Sequence, residues 1–129
     1  MTEGPRGRAV RLIDVFADLG LRRAGSTAVD VERLLTRCSD AVPGAQALRE
    51  TLGRAVAGVV AAIVALADPD VVLVGGSWGP ALLGAIGAAV AELPRGGRLQ
   101  AAAATGEPAL AGARIDAIER LRAAITATR

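Results

Sequence analysis

The sequence contains no lysine, histidine or tyrosine, and it has one cysteine, one phenylalanine and one tryptophan in 129 residues. Without histidine, the chain lacks both the commonest general base and the commonest neutral metal ligand. Without lysine, it can form neither a Schiff base nor a lysine-bearing phosphate loop. The single cysteine, Cys38, excludes an internal disulfide and a thiolate metal cluster. Any catalysis would depend on carboxylates, arginine, serine and threonine.

Hydrophobic residues make up 52% of the chain but aromatic residues only 2%. The core must therefore be built from Ala, Val, Leu and Ile, and such small residues allow helices and strands to approach closely. At this length the chain is about one domain, and folding can bury roughly two thirds of the surface of the unfolded chain.

The charged residues are balanced and scattered. The chain has 15 arginines and 13 acidic residues, which gives a net charge of +2. A surface that binds DNA or RNA gathers basic residues with few acids among them. Here the arginines are interleaved with Asp and Glu, except at Arg22 and Arg23, so we expect no direct nucleic-acid contact.

An uncharged, strongly apolar run, residues 55–67, lies between Arg54 and Asp68. A membrane span needs about 20 apolar residues, so this run predicts a buried helix rather than a span. Residues 1–11 lack the apolar stretch of a signal peptide. We therefore expect a soluble, cytoplasmic protein without a membrane partner.

Hydrophobic periodicity and turn residues divide the chain into two parts. Residues 1–25 are poorly determined by their pattern, whereas residues 26–129 predict an α/β segment in the order helix, helix, strand, helix, strand, helix. The predicted elements are a helix capped by Ser26 or Thr27 and ending near Ser39, a long helix over 45–67, a strand over 71–74, a helix over 80–93, a weaker strand over 98–104 and a last helix after Pro108. The second half of the long helix is apolar nearly all round, which predicts a central position.

A glycine-rich loop, Gly-Gly-Ser-Trp-Gly, follows the predicted strand at residues 75–79, and Pro80 opens the next helix. Glycines at the carboxyl end of a buried strand allow a sharp turn or the close approach of a ligand, and open α/β sheets usually bind ligands there. The loop matches neither G-x-G-x-x-G nor G-x-x-x-x-G-K-[ST]. A ligand-facing loop and a plain tight turn both remain compatible with this pattern.

The run LGRAVAGVVAAIVALADPDVVLVGGSWGPALL, residues 52–83, resembles the C-terminal part of the ROK family, the repressors and sugar kinases of the actin-like ATPase superfamily. In that family a long helix leads into D-P-[DE]-x-[VIL]-[VIL]-[VIL]-G-G, which Asp68, Pro69, Asp70, residues 71–74, Gly75 and Gly76 match position by position. The tail PALAGARIDAIERLRA resembles the ending of the family as well. The resemblance covers about residues 27–127 and is specific from Leu52 onward.

This resemblance implies a partial actin-like ATPase, or ribonuclease H-like, domain. It would place Gly75 and Gly76 beside the adenosine of ATP, with Ser77 as a hydrogen-bond donor at the rim. Trp78 could lie over a flat ring, or it could fill space as an anchor in a core poor in aromatic residues. ATP is implied as a cofactor by the resemblance alone.

The departures from the family pattern argue against catalysis. Family kinases carry an N-terminal D-x-G-G-T phosphate loop, an aspartate base and a cysteine cluster with histidine for zinc. Here Asp14 is followed by Val15, Phe16 and Ala17 instead of glycines and threonine, and Cys38 stands alone. We therefore expect a solvated or capping role for Asp14, no metal site and no kinase activity.

Three functional hypotheses remain. The first is a truncated, non-catalytic segment of a ROK-type transcriptional regulator, which contributes part of an effector domain for a sugar or nucleotide. The second is a free-standing interaction module that pairs with another copy or subunit through helices 55–67 and 115–125, since faces that lose a neighbouring domain become exposed apolar patches. The third, an intact sugar kinase, lacks the phosphate loop it would need.

Overall fold

The computed structural model describes residues 2–3, 9–103 and 108–127, and the chain within these ranges is of mixed α/β class. Its elements are β1 (Thr2–Glu3), β2 (Ala9–Val10), α1 (Leu12–Asp18), α2 (Val31–Arg37), α3 (Ala45–Ala67), β3 (Val72–Val74), α4 (Gly79–Ala91), β4 (Leu99–Ala101) and α5 (Pro108–Ala127). The predicted mixture of helices with a few short strands is confirmed at this level.

The centre of the fold is the pair of helices α3 and α4. Leu52 of α3 and Leu82 and Ile86 of α4 are fully buried. The two helices approach so closely that a methyl group built on Gly53 would lie 2.6 Å from the carbonyl oxygen of Ala85. Small residues at the crossing therefore bring the backbones together, as expected for a core with almost no aromatic side chains.

Part of the segment 1–25, whose fold the sequence pattern did not determine, also contributes to this core. β1 and β2 form an antiparallel pair, and α1 follows directly. Phe16 of α1 and Leu21 of the following loop are buried in the same cluster as Leu52 and Ile86. The residues of α1 and its loop are thus packed against α3 and α4.

The predicted cap of α2 is wrong. The Ser26 hydroxyl accepts a hydrogen bond from the Ala28 amide at 3.0 Å, which closes a local turn instead of starting a helix. Asp30 is the N-cap, and its carboxylate accepts a hydrogen bond from the Arg33 amide at 3.1 Å. The helix therefore begins at Val31, a few residues later than predicted.

Strands β3 and β4 form a two-stranded parallel sheet, with Val72 opposite Leu99 and Val74 opposite Ala101. Helix α4 connects them, so β3, α4 and β4 make one crossover unit. Val72 and Val74 pack against the core, whereas the intervening Leu73 is 60% exposed. One face of the sheet is covered by the helices and the other face is open.

The expectation that the second half of α3 is central is wrong. Val60 and Val64 are buried against the core, but Leu66 is 89% exposed and Ile63 is also exposed. The helix is apolar nearly all round because of its composition, but the main contacts of α3 are with α4, β1 and α1, and they leave Ile63 and Leu66 exposed.

Among the described residues, α3 is the one helix long and apolar enough to cross a membrane by length and composition. A core helix of a soluble domain meets the same two criteria, and α3 packs through Leu52 and Val60 into the hydrophobic core of this domain. The two criteria are therefore weak evidence for a span, and α3 contacts the core of the described fold along one side, with 33% of its 18-residue apolar stretch buried.

Helix α5 differs from all the other long elements. Its large apolar residues are between 48% and 62% exposed, and they are Leu110, Ile115, Ile118, Leu121 and Ile125. None of the described side chains of α5 is buried. The apolar residues of α5 thus recur at helical intervals in the sequence, but no element of the described fold covers them.

Candidate functional site

The predicted site residues 75–78 form the loop between the end of β3 and the start of α4. Gly76 has a φ of +84°, a left-handed conformation that residues with a side chain rarely adopt. Pro80 lies in the first turn of α4, where its missing amide hydrogen costs no helical hydrogen bond. The residue types of this loop are those that a sharp connection between strand and helix requires.

Gly75 is restricted by the neighbouring strand rather than by its own conformation. A methyl group at this position would lie 3.1 Å from the Cβ of Ala102, just beyond β4. The turn at Gly76 and this close approach at Gly75 account for the double glycine without a bound molecule. A nucleotide at this loop thus remains a prediction of the resemblance.

Trp78 points its indole into the fold. The ring contacts Phe16 in an edge-to-face arrangement, with the ring centroids 5.4 Å apart and an interplanar angle of 61°. Trp78 is partly buried against the hydrophobic core. The two aromatic residues of the chain therefore form one packed pair that joins α1 to the start of α4, and such pairs add about 0.5–1.5 kcal/mol to the burial of their area.

Sequence reasoning offered the anchoring role of Trp78 as one of two alternatives, but it missed the partner. Phe16 lies 62 positions earlier, in the part of the chain whose fold the pattern left open. The available signal was composition, because large aromatic side chains contribute most to a core and the chain has only one phenylalanine and one tryptophan. Ser77 is the sequence neighbour of Trp78, but it is exposed in the loop, whereas Trp78 packs on Phe16.

Asp14 lies on α1 and not in a loop that could hold phosphate. Its carboxylate accepts two hydrogen bonds from the Arg11 guanidinium, at 2.9 and 3.1 Å. These bonds are the main reason that the pKa of Asp14 lies below its usual range. An ionised, arginine-paired carboxylate of this kind is a poor proton acceptor, so its geometry is that of a surface ion pair.

Cys38 is the C-cap of α2 and is buried. Burial raises the pKa of its thiol, while the nearby charges of Arg49 and Arg37 act in the opposite direction. The thiol is therefore protonated near neutral pH and packs as a small apolar group. Within the described residues, no group of three or more His, Cys, Asp or Glu side chains is placed to hold a metal ion.

A groove of about 600 Å³ runs along the surface between α3 and α4. Its polar wall includes Arg49, whose guanidinium donates to the side-chain oxygen of Gln46 at 2.8 Å and pairs with Asp40 at 2.8 Å. The same guanidinium donates to the carbonyl of Cys38. These contacts of Arg49 hold the turn after α2 against α3.

Two uncovered apolar surfaces are the most distinctive features of the described fold. We call the five large apolar residues of α5 the α5 stripe; at 100° per residue they occupy about 140° of the helix circumference, an arc that also contains Arg114 and Arg122. We call the open side of the sheet, with Val71 and Leu73, the outer sheet face. Arg98, which precedes β4, and Gln100, within β4, are exposed at the same level of the sheet. Sequence reasoning recognised the α5 stripe as a face, and its second hypothesis expected helices 55–67 and 115–125 to be exposed as apolar patches.

Comparisons with known proteins leave this geometry as the main guide to function. The sequence matches no protein-family model, and neither the curated proteins nor the solved structures contain a significant match.

Proposed function

We propose that this chain is a non-catalytic association module, equivalent to the C-terminal part of the effector domain of a ROK-type transcriptional regulator. In this proposal the α/β segment is part of an actin-like ATPase, or ribonuclease H-like, fold and works in the cytoplasm. The match of Asp68, Pro69, Asp70, Gly75 and Gly76 to the family pattern supports the family relationship. In the full-length parent, the effector would be a sugar.

The observation that carries the proposal is the exposure of the α5 stripe. A 20-residue helix with large apolar residues on one side gains most of its stability from burying that side. Arg114 and Arg122 lie within the same arc, so the surface is a group of exposed Leu and Ile side chains interrupted by two arginines. Exposed apolar residues grouped in this way, with polar residues around them, mark a site of interaction. The outer sheet face adds a second such surface, since Leu73 is 60% exposed.

The chemistry of the chain supports a binding role over phosphoryl transfer. Phosphoryl transfer requires groups that hold the phosphates and a residue that orients the nucleophile. Asp14, the residue nearest to the family phosphate loop in sequence, is held by Arg11 on the surface of α1. We therefore assign no catalytic residue, and we leave ATP as a ligand that the resemblance alone suggests.

An experiment on α5 tests whether its stripe serves association or the stability of the single chain. Ile118→Arg places a charge in the stripe, and Ala123→Arg places the same charge on the other side of the same helix. We expect both variants to keep the free energy of unfolding within about 0.5 kcal/mol of wild type in urea titrations at low protein concentration. A loss of about 2 kcal/mol or more in Ile118→Arg alone would show that the stripe packs within its own chain, which contradicts the proposal.

A further inference from the structure

The loop between α1 and α2 contains Arg22 and Arg23, the only two adjacent arginines of the chain. Hydrogen bonds between the two sides of this loop fix its backbone. The Arg23 amide donates to the Ala28 carbonyl oxygen at 2.9 Å, and the Asp30 amide donates to the Leu21 carbonyl oxygen at 2.8 Å. Leu21 is fully buried and attaches the loop to the core. Both arginines are therefore carried by a backbone with a defined conformation.

A concave surface of about 330 Å³ lies on this loop, and we call it the loop pocket. Its polar lining residues are Arg22, Arg23, Ser26 and Thr27, and the rest of its lining is alanine and glycine. The groove between α3 and α4 is lined by glutamates as well as arginines, whereas no acidic residue lines the loop pocket. The charge at the loop pocket is therefore positive only, and its volume is that of a site for a small molecule.

Arg22 is held in position by the loop itself. Its Nε and Nη2 atoms both donate to the Ser26 carbonyl oxygen, at 3.1 and 2.8 Å. The side chain is half-buried, and the two bonds use only part of the N–H groups of the guanidinium. A ligand that binds the remaining N–H groups therefore meets an arginine whose conformation is already fixed, which lowers the entropy cost of binding.

The other polar side chains of the loop pocket supply further donors. Within the described chain, the Arg23 guanidinium and the Thr27 hydroxyl make no hydrogen bond, and neither Arg22 nor Arg23 takes part in an ion pair. The Ser26 hydroxyl accepts a hydrogen bond from the Ala28 amide at 3.0 Å, so its own hydrogen is free to donate. Two guanidinium groups and two hydroxyl groups thus have donors available at one concave surface.

The acidic residues near the loop in sequence do not line the loop pocket. Arg22 helps to lower the pKa of Asp14, but Asp14 is already paired on α1. Asp30 is the N-cap of α2. Asp18 and Glu32 are exposed on α1 and α2. An anion in the loop pocket would therefore not displace an acid from either arginine in the described chain.

We propose that the loop pocket binds the phosphate group of a small molecule. Guanidinium groups bind phosphate through charge-assisted hydrogen bonds, and hydroxyl groups add neutral ones. The oxygen atoms of a tetrahedral phosphate point in several directions, which suits donors from four different residues. Two arginines are too few for a nucleic-acid surface, which needs a row of basic residues along the backbone. This site is separate from the α5 stripe, so the proposal goes beyond the proposed function and does not depend on it.

The test is a titration of the ¹⁵N-labelled full chain with inorganic phosphate, at an ionic strength held constant with sodium chloride. We expect amide chemical shifts that saturate at millimolar phosphate and are confined to residues 20–27. Phenyl phosphate, titrated in the same way, is expected to shift the same amides at the same or lower concentration. Binding of inorganic phosphate without binding of phenyl phosphate would overturn the assignment to a small phosphorylated molecule.

Two variants separate the loop pocket from general attraction to a basic protein. Arg23→Gln removes a charge at the pocket without breaking a described contact, and Arg95→Gln removes the same charge from the exposed segment after α4. We expect Arg23→Gln to weaken phosphate binding about tenfold, and Arg95→Gln to change it less than about twofold. If Arg23→Gln fails to fold, Thr27→Val replaces it, with an expected weakening of about threefold.

Several outcomes would overturn the site. Shifts that do not saturate, or that sodium chloride alone produces, would show screening of surface charge. Equal weakening by Arg23→Gln and Arg95→Gln would show a response to net charge. Saturable shifts in the groove between α3 and α4 would place the anion elsewhere. A DNA duplex that shifts residues 20–27 at lower concentration than phenyl phosphate would replace the small molecule by a nucleic acid. The unfolding of Ile118→Arg decides the proposed function separately, because Ile118 does not line the loop pocket.

Discussion

Helices α3 and α5 are both long and carry recurring apolar residues, but they differ in charge and in burial. The second half of α3 is uncharged, whereas α5 has charged residues through its middle, with Arg114 and Arg122 among its apolar residues. They have 23 and 20 residues, and both carry Leu, Ile or Val at intervals of three and four. In α3 these residues bury one side of the helix against α4, whereas in α5 every described side chain is exposed. The comparison shows that periodicity identifies the side of a helix that seeks a partner but does not show where that partner is.

The difference lies in what each helix meets along the chain. Helix α3 is followed, after a short strand and loop, by α4, and the small residues Gly53 and Ala85 let the two backbones touch. Helix α5 follows β4 at the end of the crossover unit, and the described chain supplies no further element to cover it. The stability of the domain is therefore concentrated in the α3 and α4 pair.

The largest expected effect comes from replacing one leucine by alanine in each of the two helices. Leu52→Ala in α3 is expected to lower the free energy of unfolding by about 2–5 kcal/mol, because Leu52 is fully buried and leaves a cavity. Leu121→Ala in α5 is expected to change it by less than about 0.5 kcal/mol, because Leu121 is 62% exposed and alanine favours a helix at least as well. Urea unfolding at low protein concentration measures both values.

Similar losses in the two variants would contradict the contrast between the helices. That result would mean that α5 is buried within its own chain in solution. It would also agree with a destabilised Ile118→Arg variant, so the two experiments check each other.

A second test compares two glycines, one in each of the packed helices α3 and α4. Gly53→Ala is expected to destabilise by about 1–3 kcal/mol, because the added methyl group meets the Ala85 carbonyl oxygen and the helices must move apart. Gly84→Ala in α4 is expected to stabilise by about 0.5–1 kcal/mol, because its methyl group meets no atom within 4 Å and alanine favours the helix. Thermal or urea unfolding gives the sign of each change.

Equal stabilisation by both substitutions would show that α3 and α4 lie farther apart than in this structure. The opposite signs are the informative result, since helix propensity alone predicts a gain at both positions.

Much of the fold could be predicted from the sequence. Helix α3 was predicted with its observed bounds because its apolar residues recur over six turns and Pro69 ends it. The short strand β3 was recognised as a run of β-branched residues between turns. The cap of α2 was misplaced because Ser26 and Asp30 are both good capping residues, and only the local hydrogen bonds decide between them.

The candidate site was harder to predict, because its contacts join residues that are distant in sequence. The glycines of the loop were located correctly, but the contact of Gly75 with Ala102 depends on the pairing of β3 with β4. The contact of Trp78 with Phe16 depends on the position of α1. The exposure of α5 depends on which surfaces remain uncovered once the core has formed, and no local pattern encodes that.

The smallest expected difference between two matched variants concerns the loop, and it tests whether Gly76 serves a turn or a ligand. Gly76 and Gly44 have nearly the same conformation, with φ of +84° and +81°, and a methyl group at either position meets no atom within 4 Å. Gly76→Ala and Gly44→Ala should each cost about 1–2 kcal/mol, the penalty of a left-handed residue with a side chain. Unfolding titrations of the two variants make the comparison.

Calorimetric titration of the same two variants with ATP measures binding of the ligand that the resemblance suggests. If Gly76 serves only the turn, the heats for wild type, Gly76→Ala and Gly44→Ala should be the same. A binding heat in wild type that persists in Gly44→Ala and disappears in Gly76→Ala would place the nucleotide at the loop, because the two substitutions differ in location and not in conformational cost. The β3 to α4 connection would then be a binding element as well as a turn, and the domain would carry a ligand site at the end of its sheet.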